Sequence, residues 1–176
     1  SLLLESATSL VRPGAFVARQ QRRMAAAQLL AAELGDSESA VGVLADLLAD
    51  GDFASQIADR RRTVAEAVLG YAETAVDKDA VAEAAVIAAE AAAEAATGPA
   101  ARAFRCTQAR WLQQVGRWSE SWVAATTALE DALSSGGDDA GTHRDVAEAW
   151  ALVAEGAPKA EQQADVADQV ASWAEL

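Results

Sequence analysis

Four breaks recur along this chain at nearly one interval, and no other feature limits its fold so tightly. Gly35, Asp77, Gly116 and Gly156 stand 42, 39 and 40 residues apart, a spacing that marks a repeated supersecondary unit. Further punctuation falls between them, at Pro13-Gly14, Asp50-Gly51-Asp52, Gly98-Pro99 and the run from Ser134 to Asp139. Eight helix-length segments remain, and no β-rich alternating run lies among them. Pro13, Pro99 and Pro158 each fall at or just before the start of a segment, where a missing N–H costs little. The pattern predicts an all-α chain of four antiparallel helical hairpins, about 14–50, 53–96, 99–134 and 140–175, in a single domain over 14–176. An N-terminal helical extension over 1–13 precedes them.

Equivalent positions around the breaks carry equivalent residues. A bulky side chain stands five or six residues before each break: Leu30, Tyr71, Trp111 and Trp150. A ladder at helical spacing follows each break: Ala40, Leu44, Leu47; Val81, Ala85, Ala88; Ser121, Ala125, Ala128; Ala160, Ala164, Ala167. Each large residue of a first helix is expected to pack on the ladder of the second. Alanine dominates the 52% apolar fraction and aromatics are 5%, so the core must come from small residues that let helices approach closely. A chain of 176 residues buries roughly 70% of its unfolded surface, enough for a core without disulfides.

The stretch Trp111 to Leu129, WLQQVGRWSESWVAATTAL, resembles a tetratricopeptide repeat through Trp111, Leu112, Gly116, Trp118, Ser121 and Leu129. The first hairpin is similar through Leu34, Gly35, Ala40, Leu44 and Leu48; the second and fourth match only as amphipathic hairpins. Each unit exceeds the family's roughly 34 residues, Ala125 replaces its aromatic, and no Pro closes the third unit. Such long, degenerate units resemble sensor and scaffold segments of bacterial regulatory proteins. The resemblance implies a right-handed solenoid in which the first helices line a groove, with a compact antiparallel bundle as the alternative. It also implies a non-catalytic module that binds a protein or peptide. The alternative function is a ligand-sensing domain for a small anion within a larger regulator.

The formal charge of −13 argues against nucleic acid and anionic membranes as partners. The charge is segregated. First helices (14–34, 53–76, 99–115, 140–156) hold ten basic and seven acidic residues, whereas second helices (36–50, 78–96, 117–134, 158–175) hold three and fifteen. Arg19, Arg22, Arg23, Arg61, Arg102, Arg105, Arg110 and Arg144 are therefore the candidate binding residues, offering guanidinium forks to an acidic partner. Ion pairing to neighbouring helices is the structural alternative. In the third first helix, Arg102, Arg105 and Arg110 lie opposite Phe104, Trp111 and Val115 at ~100° per residue. Trp122 is the candidate exposed aromatic anchor, while Trp118 is expected to pack after its turn.

Catalytic constellations do not assemble. His143 is the single histidine and Cys106 the single cysteine, so neither a metal ligand set nor the usual nucleophile–base pair is expected. His143 is expected at the cap of the fourth first helix, and Cys106 is expected as buried packing. The run Gly137 to Asp145 lacks the ligand alternation of a calcium loop, and Glu90 with Glu94 reads as one solvated helix face. No enzyme activity and no cofactor are expected. One cysteine fits a cytoplasmic setting, and the apolar start of the chain, broken by Glu5 and Ser6, is too short for a membrane span. Self-association into a homo-oligomer remains a third use of the surface. A start without Met and an end within a helical pattern suit a piece of a longer protein.

Overall fold

The computed structural model describes residues 13–50, 58–135 and 140–160. These form seven α-helices and, among the described residues, no strand: α1 (Pro13–Leu34), α2 (Ser37–Leu48), α3 (Ala58–Thr74), α4 (Lys78–Glu94), α5 (Gly98–Gln114), α6 (Trp118–Ser134) and α7 (Ala140–Ala160). The all-α class expected from the punctuation is therefore the class observed. Most of the expected N-terminal extension over 1–13 lies outside the described residues, as do residues 161–176 of the fourth hairpin.

Local chemistry sets the helix ends. Gly35 and Gly116 adopt φ of 65° and 76°, a left-handed conformation that other residues reach only at a cost. At Gly116 the chain closes a Schellman turn, with Arg117 N–H donating to Leu112 O at 2.9 Å. Asp36 caps α2 by accepting from Ser39 N–H at 2.9 Å. Asp77 caps α4 by accepting from Asp79 and Ala80 N–H at 3.1 Å each. Lys78 Nζ donates to Ala72 O at 2.8 Å and also to Glu73 O, so one side chain supplements the hydrogen bonding of two carbonyls in the last turn of α3.

The core follows the expected ladders. Ala40, Leu44 and Leu47 on α2, Val81, Ala85 and Ala88 on α4, and Ser121, Ala125 and Ala128 on α6 are all buried. Ser121 is the polar rung, and its Oγ donates to Ala109 O at 2.9 Å, which removes the cost of burying an unpaired hydroxyl. Trp111 and Leu112 pack into the same core from α5. Successive helices pack on one another, and α2 also contacts α4 while α5 contacts α7. The pairs α1 with α3 and α4 with α6 stand further apart, and an open groove lies along each.

The fourth break is a correction. Gly156 was expected to turn the chain, yet α7 runs unbroken from Ala140 to Ala160 with Pro158 inside it. Gly156 does not take positive φ; it is buried beside α5, where an added Cβ would lie 3.7 Å from Gln113 Nε2. That is an ordinary van der Waals contact, so neither a turn nor the packing requires glycine at this position. Lys159 stacks over Trp118 at 3.6 Å, holding the end of α7 against the start of α6. Trp150 is corrected with it. Expected as a buried anchor, it is 47% exposed; of the ladder it was to meet, Ala160 is buried and Ala164 and Ala167 lie outside the described residues.

Candidate functional site

The segregated arginines are mostly occupied within the fold. Arg19 pairs with Asp50, Arg61 with Glu94 and Arg105 with Asp131. In each case an arginine of a hairpin's first helix meets an acid near the end of its second helix. Two further pairs join α5 to α7: Arg102 with Asp145 at 2.9 Å, and Arg110 with Glu148. Arg23 Nη1 donates to Val43 O at 3.2 Å. Arg22 and Arg144 are exposed. Thus the excess of acids on second helices and of arginines on first helices feeds ion pairs across helices in place of a free basic groove.

Two candidates are displaced outright. Arg102 is 5% exposed and Trp122 2% exposed, so neither can present itself to a partner on this surface. The face of α5 that carries Arg102 and Arg110 was expected to point away from the core. It is the seat of α7, where Gln113 Nε2 also reaches Leu152 O. Helical periodicity located that face correctly and could not say that another helix covers it. Trp122 occupies the core beside the α6 ladder, where its large apolar area stabilises most.

Among the described residues, two grooves open to solvent stand out. The first is a trough of about 480 Å³ between α1 and α3. Gln20, Met24 and Gln28 follow one row of α1 at four-residue spacing, with Val17, Gln21 and Ala25 on the adjacent row. Arg60 and Tyr71 complete it from α3, and no lining residue is acidic. Sequence reasoning that weighed charge first missed this site, although the Gln20, Met24, Gln28 spacing on a helix was the available signal.

The second groove is a cleft of about 340 Å³ between α4 and α6, backed by α5. Arg117 closes one end: it donates to Glu120 of α6 through Nε and Nη2 and to Glu83 of α4 through Nη1 at 3.1 Å. These hydrogen bonds, led by the one to Glu120, raise the Arg117 pKa, and the same contact lowers that of Glu120. Arg105 stands in the wall from α5 and Glu90 from α4.

Cys106 is buried between α5 and α7, as its packing role requires. Burial above all, with Glu148 adding, pushes its thiol up to about 11, far from the thiolate that reactive cysteines need. His143 lies in the first turn of α7 and is exposed. Among the described residues no group of three or more His, Cys, Asp or Glu is placed to hold a metal ion, and no helix is long and apolar enough to cross a membrane. Comparison with protein-family models, curated proteins and solved structures finds no match for this chain.

Proposed function

We propose that the protein is a non-catalytic helical-repeat module that takes a segment of a protein or peptide partner along the trough between α1 and α3. One observation carries this reading: an open trough of about 480 Å³ lined by first helices and free of carboxylates in a chain of charge −13. Primary amides both donate and accept, so Gln20, Gln21 and Gln28 match the alternating groups of an extended peptide backbone. Met24 is unbranched and adapts to apolar side chains of different shape. Arg60 favours a carboxylate beside that apolar residue. The repeated ladders of α2, α4 and α6 support a stacked arrangement of hairpins.

The test is a fluorescence titration with labelled peptides that place Asp or Glu beside Leu, Met or Phe. Micromolar binding should weaken at least about tenfold in Arg60→Glu and in Met24→Glu, should fall with added salt, and should be indifferent to Arg105→Glu. Binding lost through Arg105→Glu and retained by both trough variants would overturn the assignment of the site. Absence of binding to every such peptide would overturn the function.

A further inference from the structure

The cleft of α4, α5 and α6 shares no lining residue with the trough, and its chemistry differs. Its lining combines apolar Val86, Leu112 and Val123 with three polar groups that keep spare bonding capacity: Arg105, Gln108 and Glu90. Arg105 gives Nη1 to Asp131, leaving Nε and Nη2 uncommitted among the described residues. Glu90 and Gln108 make no side-chain hydrogen bond there. Arg117, by contrast, commits all three nitrogens to Glu83 and Glu120 and serves as a wall.

We propose that this cleft binds a small apolar α-amino acid as its zwitterion. A guanidinium on α5 and a carboxylate on α4 face one space, so a simple anion would meet Glu90 and a simple cation would meet Arg105. A ligand carrying both signs satisfies both. Its carboxylate takes the free donors of Arg105 and its ammonium takes Glu90, as charge-assisted hydrogen bonds. Gln108, one turn from Arg105 on the same helix, has a donor and an acceptor for either group. The aliphatic side chain lies on Val123, which is exposed, and on the methyl of Thr127, with Val86 and Leu112 buried beneath them. A volume of about 340 Å³ sits at the small end of ligand cavities, which suits a single amino acid and disfavours a nucleotide or a longer peptide. Binding here goes beyond the peptide reading and does not depend on it.

The experiment is calorimetric titration and thermal shift of the full chain with leucine, valine, isoleucine and methionine. Two blocked forms accompany them: N-acetyl-leucine, which lacks the ammonium, and leucinamide, which lacks the carboxylate. At least one free amino acid should bind and raise the melting temperature, and both blocked forms should bind at least about tenfold more weakly. Arg105→Gln and Glu90→Gln should each remove a similar factor for the free amino acid, with helicity by circular dichroism unchanged. Glu90→Gln should leave the weak binding of N-acetyl-leucine unaltered, because that ligand offers no ammonium to Glu90. Gln108→Ala gives a third, uncharged variant with the same expected loss. The proposal is overturned by no response to any free amino acid, by equal affinity for the blocked forms, or by full binding in the Arg105 and Glu90 variants. Acetate or phosphate binding as tightly as leucine would likewise replace it with a plain anion site.

Discussion

Arg102 shows how far a residue's surroundings can reverse the role its charge suggests. Buried against Asp145 at 2.9 Å, it holds α7 on α5, so Arg102→Glu sets two carboxylates together in a poorly hydrated contact. Removing one partner from such a pair costs about 3–5 kcal/mol, and urea unfolding should register a loss of at least that size. Arg105→Glu, at a pair whose members are 30% and 49% exposed, should cost only about 0.5–1 kcal/mol. Equal losses at the two sites would contradict the burial assigned to Arg102. The tryptophans divide on the same ground. Trp111→Ala and Trp122→Ala should each cost about 3–5 kcal/mol, whereas Trp150→Ala, with half its side chain already in water, should cost about 2 kcal/mol or less.

At the scale of the helices, two glycines of identical sequence appearance should respond oppositely to alanine. Gly116, at φ 76°, ends α5 in a conformation that Cβ disfavours, so Gly116→Ala should destabilise by about 1–2 kcal/mol. Gly156 lies within α7, outside positive φ, and a Cβ there meets only Gln113 Nε2 at 3.7 Å, an ordinary contact. Gly156→Ala should therefore stabilise by about 0.5–1 kcal/mol, through helix propensity and a less free unfolded chain. Thermal unfolding of the pair decides it, and a destabilised Gly156→Ala would restore the fourth turn. The contrast also explains what could be read beforehand. The turns at Gly35, Asp77 and Gly116 were legible because a bulky residue, a break and a small ladder coincided with a cap or a left-handed glycine. Near Gly156 the same local signals occur, but the helix continues through it without positive φ, and a glycine in the sequence does not by itself tell a turn from a helix interior. The ladders of α2, α4 and α6 were legible because helical spacing fixes a buried face wherever the partner lies. The ion pairs were not, since each inter-helix acid lies 26 to 43 residues from its arginine and spacing along one helix cannot find it. The trough escaped for a related reason: its amides carry no charge, and its second wall comes from another hairpin.

Across the whole molecule, the hairpins are joined by polar contacts as well as by the alanine core, and one junction carries a titratable group. Glu38, in the first turn of α2, accepts from Val76 N–H at 2.8 Å and Asp77 N–H at 3.0 Å, donors from the turn between α3 and α4. Ser37 and Thr74 share a hydroxyl hydrogen bond of 3.0 Å at the same place, so the start of the first hairpin's second helix caps the turn of the next. The backbone hydrogen bonds, with that from Asp77 the largest, lower the Glu38 pKa from its ordinary 4.5. A carboxylate with a depressed folded-state pKa contributes stability that is fully present above its unfolded value and lost as pH falls through the folded value. Glu38→Gln keeps the size and an acceptor oxygen but loses the charge. Its melting temperature should accordingly fall below that of the native chain at neutral pH, and the two should converge as pH drops below 4.5. Asp36 is shifted in the same direction by its hydrogen bond to Ser39, but it is present in both proteins and largely cancels in the difference. Paired melting curves from neutral to acidic pH provide the measurement. A gap that stays constant across that range would mean that Glu38 contributes shape alone and that the junction between hairpins does not rest on its charge.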